Sequence, residues 1–332
     1  MDDTKYGLLA VGNAIVDVLA KTDDAFIGSQ RVKGMEKGAM SLIDAARAEE
    51  LYALMGQTTE MSGGSAGNTM AVYAALGGTG AYIGKVGNDQ LGEVFRHDLT
   101  AQGITFPENI STTDTPTARC LILVTPDAER TMNTYLGACV ELTPKDIDDE
   151  LVRSAQVTYL EGYLFDPPLA KEAFYKTASI VKVSGRKLAL SLSDAFCVNR
   201  HKDDFLDLVN NHVDILFANE EEIMALYGGD YASACQKAAD KCEIVCATQG
   251  ASGSIIYVNG KTYPIQPVKP RELIDTTGAG DAYAAGFLYG YTEGFEYEEC
   301  GALASACAST VISQIGPRPM GSLTHLLSGE AA

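Results

Sequence analysis

An α/β fold with a mainly parallel central sheet, flanked by helices and carrying a small inserted β-sheet, is what this sequence predicts. Three observations predict it. Short apolar runs alternate with helix-length amphipathic segments, the pattern of βαβ units. Two regions break that rhythm with strand-like pieces that have no helix between them. Glycine, 33 of 332 residues, clusters where such units would turn from strand to helix.

The elements follow in order. Leu8–Val11 reads as a buried strand, and Ala81–Val86 as another after a helix from Asn68 to Leu76. Val157–Leu160, Leu188–Leu192, Ile215–Ala218 and Ile244–Ala247 are further apolar runs of strand length. Leu169–Val183 and Asp203–Asn211 carry helical periodicity between them. Ile15–Lys21 and Lys37–Ile43 are the strand-like exceptions. Thr117–Thr125 and Arg130–Leu136 form a hairpin pattern, with Pro126-Asp127-Ala128 as the turn. Together these pieces predict a small antiparallel sheet, either a lid that closes over a site or a plain extension of the body. Asn259-Gly260 marks a second hairpin. Ser328–Ala332 is expected to fray.

Composition narrows the function. With 44 acidic against 25 basic residues the net charge is −19, which disfavours nucleic acid and anionic membrane surfaces as partners. A phosphate-bearing ligand then needs local help from backbone amides or a metal. No run of 18 apolar residues and no basic, apolar leader appears, so a cytoplasmic protein is expected. The eight cysteines form no Cys-x-x-Cys and read as reduced core thiols. The four histidines show no metal spacing.

The sharpest local signal is Thr276-Thr277-Gly278-Ala279-Gly280-Asp281 ahead of a helix over Ala282–Tyr289. Small residues let a ligand approach the open N–H groups and positive dipole of a helix start, where phosphate is the natural occupant. Asp281 is then either a helix N-cap or a base that accepts a hydroxyl proton. Walker A fails, because Gly260-Lys261-Thr262 has Ile255 where the first glycine belongs. A dinucleotide fingerprint fails too, since Gly278-x-Gly280 continues to Tyr283.

Taken in order, the motifs resemble the ribokinase family, also called the PfkB carbohydrate kinases. Asp275-Thr276-Thr277-Gly278-Ala279-Gly280-Asp281 is similar to its C-terminal signature and Gly63-Gly64-x-Ala66-x-Asn68 to its N-terminal one. Asn219-x-x-Glu222, Thr248-x-Gly250-x-x-Gly253 and Gly84-x-Val86-Gly87-x-Asp89-x-x-Gly92 match further family elements. The resemblance implies a ribokinase-like fold and transfer of the γ-phosphoryl of ATP to a hydroxyl. It assigns Asp281 as catalytic base and Gly278, Ala279 and Gly280 as the anion hole. It places Asn219, Glu222, Thr248, Gly250 and Gly253 at ATP, with Asn219 and Glu222 ordering water around Mg²⁺. Asp275 and Thr277 match positions that hold a monovalent cation, so K⁺ is expected.

For the acceptor, Gly12-Asn13-x-x-x-Asp17 resembles the element by which adenosine kinases hold ribose hydroxyls. With Gly63, Gly64 and Asn68, Asn13 and Asp17 would form a pocket that reads a diol, and Arg130 matches an arginine that reaches phosphate. Met40, Leu136, Tyr163 and Phe165 are candidates for an apolar slot that takes a base. A nucleoside such as adenosine is the expected acceptor, with a sugar (fructose, ribose or a keto-deoxy sugar acid) as the alternative and a non-catalytic sensor as a third. Glu161–Pro167 and Gln314–Pro319 depart from the adenosine-kinase pattern. Residues 1–12, 45–98 and 138–332 are expected to form the large nucleotide-binding domain, and 13–44 and 99–137 the small-sheet lid. A monomer and a homodimer both remain open.

Overall fold

In the computed structural model, residues 4–107, 110–127 and 129–328 are described. In chain order the strands are β1 (Tyr6–Val11), β2 (Ile15–Lys21), β3 (Met40–Leu42), β4 (Thr58–Ser62), β5 (Gly80–Ile83), β6 (Ala118–Val124), β7 (Arg130–Tyr135), β8 (Ala155–Glu161), β9 (Lys187–Ser191), β10 (Ile215–Asn219), β11 (Ile244–Thr248), β12 (Ser254–Val258) and β13 (Lys261–Ile265). The helices are α1 (Asp24–Gln30), α2 (Ala45–Leu54), α3 (Ser65–Ala75), α4 (Gln90–Ala101), α5 (Asp149–Arg153), α6 (Pro168–Ser184), α7 (Ala195–Arg200), α8 (Lys202–Asn211), α9 (Glu220–Tyr227), α10 (Tyr231–Ala239), α11 (Ala279–Thr292) and α12 (Tyr297–Val311).

Eight strands form the large sheet in the order β13-β12-β11-β10-β9-β8-β1-β5. β11, β10, β9, β8, β1 and β5 run parallel, and β12 and β13 add an antiparallel edge. Parallel strands are buried on both faces, which is why they read as unbroken apolar runs. One face packs Leu8, Tyr159 and Phe217 with Phe287 of α11. The other packs Leu9, Leu160 and Leu216 with Phe174 of α6 and Leu208 of α8.

The second sheet has the order β3-β7-β6-β2-β4, and here three expectations are corrected. The sheet is mixed: β2 runs parallel to β6 and β3 parallel to β7, whereas β6–β7 and β2–β4 are antiparallel. β4 lies within the 45–98 segment assigned to the large domain, yet it pairs with β2. Its polar Thr-Thr-Glu sequence conceals a strand that is held by backbone pairing. A helix, α1, stands between β2 and β3. It is capped by Asp23, which accepts from Phe26 N–H, and buries Ile27. In the 99–137 segment, Thr105 and Ile110 bridge to Ala81 and Val86 beside the large sheet. Val16, Val18 and Leu121 on one face of the small sheet pack with Ile27 of α1 and Leu51 of α2. The other face lines a cavity. Ala128 of the expected turn, and residues 329–332 of the tail, lie outside the described residues.

No helix among the described residues is long and apolar enough to cross a membrane. All eight cysteines are free and buried.

Candidate active site

A cavity of about 830 Å³ opens where the parallel strands end, facing the small sheet. This is where open α/β sheets bind ligands. Glu161, Ser191, Asn219 and Thr248, the last residues of β8, β9, β10 and β11, all line it.

At one end α11 begins. Its N-cap Gly278 has φ +78°, the left-handed region open to glycine, and a side chain there would press within 2.5 Å of Pro317. Ala279 N–H turns back to Thr276 O at 3.2 Å. The N–H groups of Gly280 and Asp281 have no acceptor among the described residues. The helix therefore presents open amides to the cavity. Asp281 sits in the first turn beside them. Its Oδ1 accepts from Ser65 Oγ at 2.6 Å and its Oδ2 from Asn68 Nδ2 at 3.1 Å. Burial pushes its carboxyl up to about 6, against those bonds and the charge of Arg318.

The acceptor wall comes from distant elements. Asn13, just past β1, donates from Nδ2 to Glu161 Oε1 at 2.6 Å. Glu161 Oε2 accepts from Ala66 N–H at 2.8 Å, which ties the start of α3 to the end of β8. Glu161 is 1% exposed, and burial raises its carboxyl to about 7. Asp17, on β2, is pushed up to about 6 by burial against Arg318 and Arg130. A Cβ on Gly63 would come within 2.6 Å of the Asp17 carboxylate, so the glycine clears its place. Gly64 is the N-cap of α3. Asn13, Asp17, Gly64 and Asn68 all line the cavity, although Asn68 already spends its amide on Asp281 and Arg318.

Arg130 reaches from β7 to the large domain. It pairs with Asp275 and donates to Thr277 Oγ1 at 3.3 Å. Its Nε and Nη2 are buried with no partner. Asp275 also accepts from Thr277 N–H and Gly316 N–H, each at 3.0 Å. Burial works against ionisation there, but these bonds and the Arg130 charge outweigh it and hold the carboxyl below its ordinary range. Both oxygens of the expected cation ligand are thus engaged by the protein itself.

On the donor side, Asn219 and Glu222 close a reciprocal cap at the start of α9. Glu222 N–H donates to Asn219 Oδ1 at 2.9 Å, and Glu222 accepts Asn219 N–H at 2.9 Å and Nδ2 at 2.6 Å. This is helix-start chemistry, and it also faces both side chains into the cavity. Burial raises the Glu222 carboxyl to about 7. Thr248 and Gly250 line the cavity. Gly253 closes the turn behind them, donating to Gly250 O at 3.2 Å with its own carbonyl accepting Gln249 N–H at 2.8 Å.

The small sheet supplies an apolar wall. Register sets Asp17, Cys120, Thr134 and Leu42 in one row, and Ile122, Met132 and Met40 in the next. All seven line the cavity, as do Leu136, Tyr163 and Phe196. Met40 is 50% and Phe196 70% exposed, an open apolar surface of the kind that marks a binding site. Phe165 is a correction: it is fully buried and stacks on Phe205 at 4.1 Å, so it serves the core. Sequence reasoning missed Ser65, Glu161 and Arg318. A glutamate ending the apolar run 157–160 could have exposed Glu161. Nothing local marked the other two.

The pfkB family carbohydrate kinase model matches residues 38–323, and the chain belongs to that family. It is an ATP-dependent phosphotransferase, as the family is. The crystal structure of adenosine kinase from Sinorhizobium meliloti aligns with TM-score 0.90 and 49% identity, over 99% of this chain and 100% of that one. A probable sugar kinase protein from Rhizobium etli CFN 42 aligns with TM-score 0.90 and 48% identity over 98% of each chain. The adenosine kinase of Saccharomyces cerevisiae is 28% identical over 334 residues, which span 93% of this chain and 96% of the yeast protein.

Proposed function

We propose that this kinase transfers the γ-phosphoryl of ATP to the hydroxymethyl group of a ribosyl nucleoside, with adenosine as the acceptor. One observation carries the reading. The Asp281 carboxylate, beside the open amides of α11, shares a cavity with Asn13, Asp17 and an apolar wall. Asn13 and Asp17 hold the ribose diol, because ionised acceptors make the stronger hydrogen bonds. The wall of Ile122, Met132, Met40 and Leu136 takes the base, which a free sugar would leave uncovered. The likeness to the S. meliloti enzyme supports the same acceptor.

Asp281 accepts the hydroxyl proton as that oxygen attacks the γ-phosphorus. The amides of Gly280 and Asp281 face the charge gathered on the transferred group, and Gly278 and Ala279 shape their turn. Arg130 brings two unpartnered donors to the same cavity, suited to phosphate oxygens. Thr248 and Gly250 lie along the nucleotide. Mg²⁺, reached through water from Asn219 and Glu222, would neutralise phosphate charge, a mode that suits a metal reluctant to lose its waters. K⁺ fits less well, because Arg130 already covers Asp275. The buried free thiols fit a cytoplasmic protein.

ADP release with Mg-ATP, measured on adenosine, inosine, ribose, fructose and a keto-deoxy sugar acid, tests the acceptor. Turnover confined to nucleosides is expected. Turnover on a sugar alone overturns the nucleoside pocket and favours the reading that the R. etli likeness supports.

A further inference from the structure

Arg318 stands in Gln314–Pro319, a stretch that departs from the adenosine-kinase pattern. Its guanidinium donates in three directions. Nε reaches Asn68 Oδ1 at 3.0 Å, Nη2 reaches Gly63 O at 3.0 Å, and Nη1 bonds Ser62 Oγ. Ser62 is fixed from behind, since its N–H and hydroxyl both donate to Asp98 Oδ2, at 2.9 and 2.8 Å. The backbone makes room for the group: a Cβ on Gly67 would come within 2.8 Å of Nη2.

Two consequences meet at Asp281. An asparagine amide has an accepting end and a donating end. Because Arg318 Nε–H occupies Oδ1 of Asn68, the NH₂ end is left to face Asp281 Oδ2 at 3.1 Å. Asp17 of β2, Glu161 of β8 and Glu222 of α9 feel the charge of that carboxylate, as do the neutral hydroxyls of Tyr159 and Tyr163. The cations Arg130 of β7 and Arg200 of α7 line the same cavity. Arg318 is the cation that acts on the Asp281 carboxylate, and Arg318 in turn feels Asp17, Asp98, Tyr82 and Asp281.

We propose that Arg318 is a positioning residue for phosphoryl transfer: it orients the Asn68 amide toward Asp281 and holds its positive charge one side chain away from that carboxylate. The proposal rests on the reading of Asp281 as the base. A fork of donors is needed to bond Asn68, Gly63 and Ser62 together, which a lysine cannot reproduce.

The test is the pH profile of kcat/KM and of kcat, with adenosine and Mg-ATP, for the wild type, Arg318→Met, Arg318→Lys and Gly67→Ala. Circular dichroism and Tm check the fold of each. Arg318→Met is expected to lower kcat and move the acid limb up by about one pH unit, as loss of a facing opposite charge should. Arg318→Lys keeps the limb near its wild-type position and lowers kcat. Gly67→Ala, which displaces the guanidinium and leaves its charge in the chain, lowers kcat if Arg318→Met fails to fold. An unmoved limb in folded Arg318→Met, or a change in KM alone across the set, overturns the proposal. The underlying reading fails separately: Asp281→Asn at wild-type rate removes the base itself, whereas an inactive Asp281→Asn beside an unmoved Arg318→Met limb removes this proposal alone.

Discussion

The two ends of the cavity are built differently. The phosphate end is one turn of backbone, Thr276 to Asp281, whose open amides and left-handed Gly278 need only small residues in sequence. The acceptor end is assembled from side chains on β2, β3, β6, β7, β8 and α3, with Asn13 from just past β1. Charge recognition by amides is local and compresses into a motif. Shape and hydroxyl recognition is spread along the chain and does not. Breaking the first end should therefore cost turnover, and breaking the second should cost acceptor affinity.

The largest expected effect is at the phosphate end. Asp281→Ala should lower kcat by ~10²–10⁴-fold, the span of general-base catalysis, with the acceptor KM little changed, as steady-state rates would show. Gly278→Val comes next. It forces a branched residue into the left-handed region against Pro317, at a cost of about 1–3 kcal/mol, and turns the amides aside. A lower Tm together with a fall in kcat should be seen, whereas loss of Tm alone would detach the turn from the chemistry.

At the other end, Asn13→Ala removes one diol partner and the Glu161 contact. A single hydrogen bond contributes about 0.5–1.5 kcal/mol, so acceptor KM should rise several-fold while the KM for ATP holds. For pH, kcat/KM should fall as pH drops below about 6, where Asp281 takes up its proton. Stability of the free protein runs the opposite way. Asp17, Asp281 and Glu161 titrate near 6 to 7 when folded, against about 4 when unfolded. The folded chain holds more protons across that window, so stability falls as pH rises through it. Tm measured from pH 5 to pH 8 should decline on that account, and a Glu161→Gln variant should flatten the decline. The smallest effect concerns salt. With Arg130 on Asp275, replacing K⁺ by choline at equal ionic strength should leave kcat within the scatter of the control.

The same contrast explains what was legible in advance. The parallel strands announced themselves as apolar runs because both their faces are buried. The motif at 276–281 announced the phosphate end. β4 was hidden, since Thr58-Thr59-Glu60 shows no apolar alternation and is held by its register with β2. α1 was hidden by its length of seven residues. Phe165 looked like a slot residue because an aromatic after a strand end can face either way, and only the Phe174 and Phe205 rings decide that it turns inward. Arg318 was invisible because its partners lie some 250 positions away in the chain.

The separation of the two ends is tested most directly by Met132→Lys, which puts a charge on the apolar wall proposed to take the base. The acceptor and ATP constants are measured on the same preparation. The account predicts that KM for adenosine rises by ~10-fold or more, equivalent to about 1.4 kcal/mol, while kcat and the KM for ATP stay near wild type. An unchanged adenosine KM, or a parallel rise in both, would contradict it.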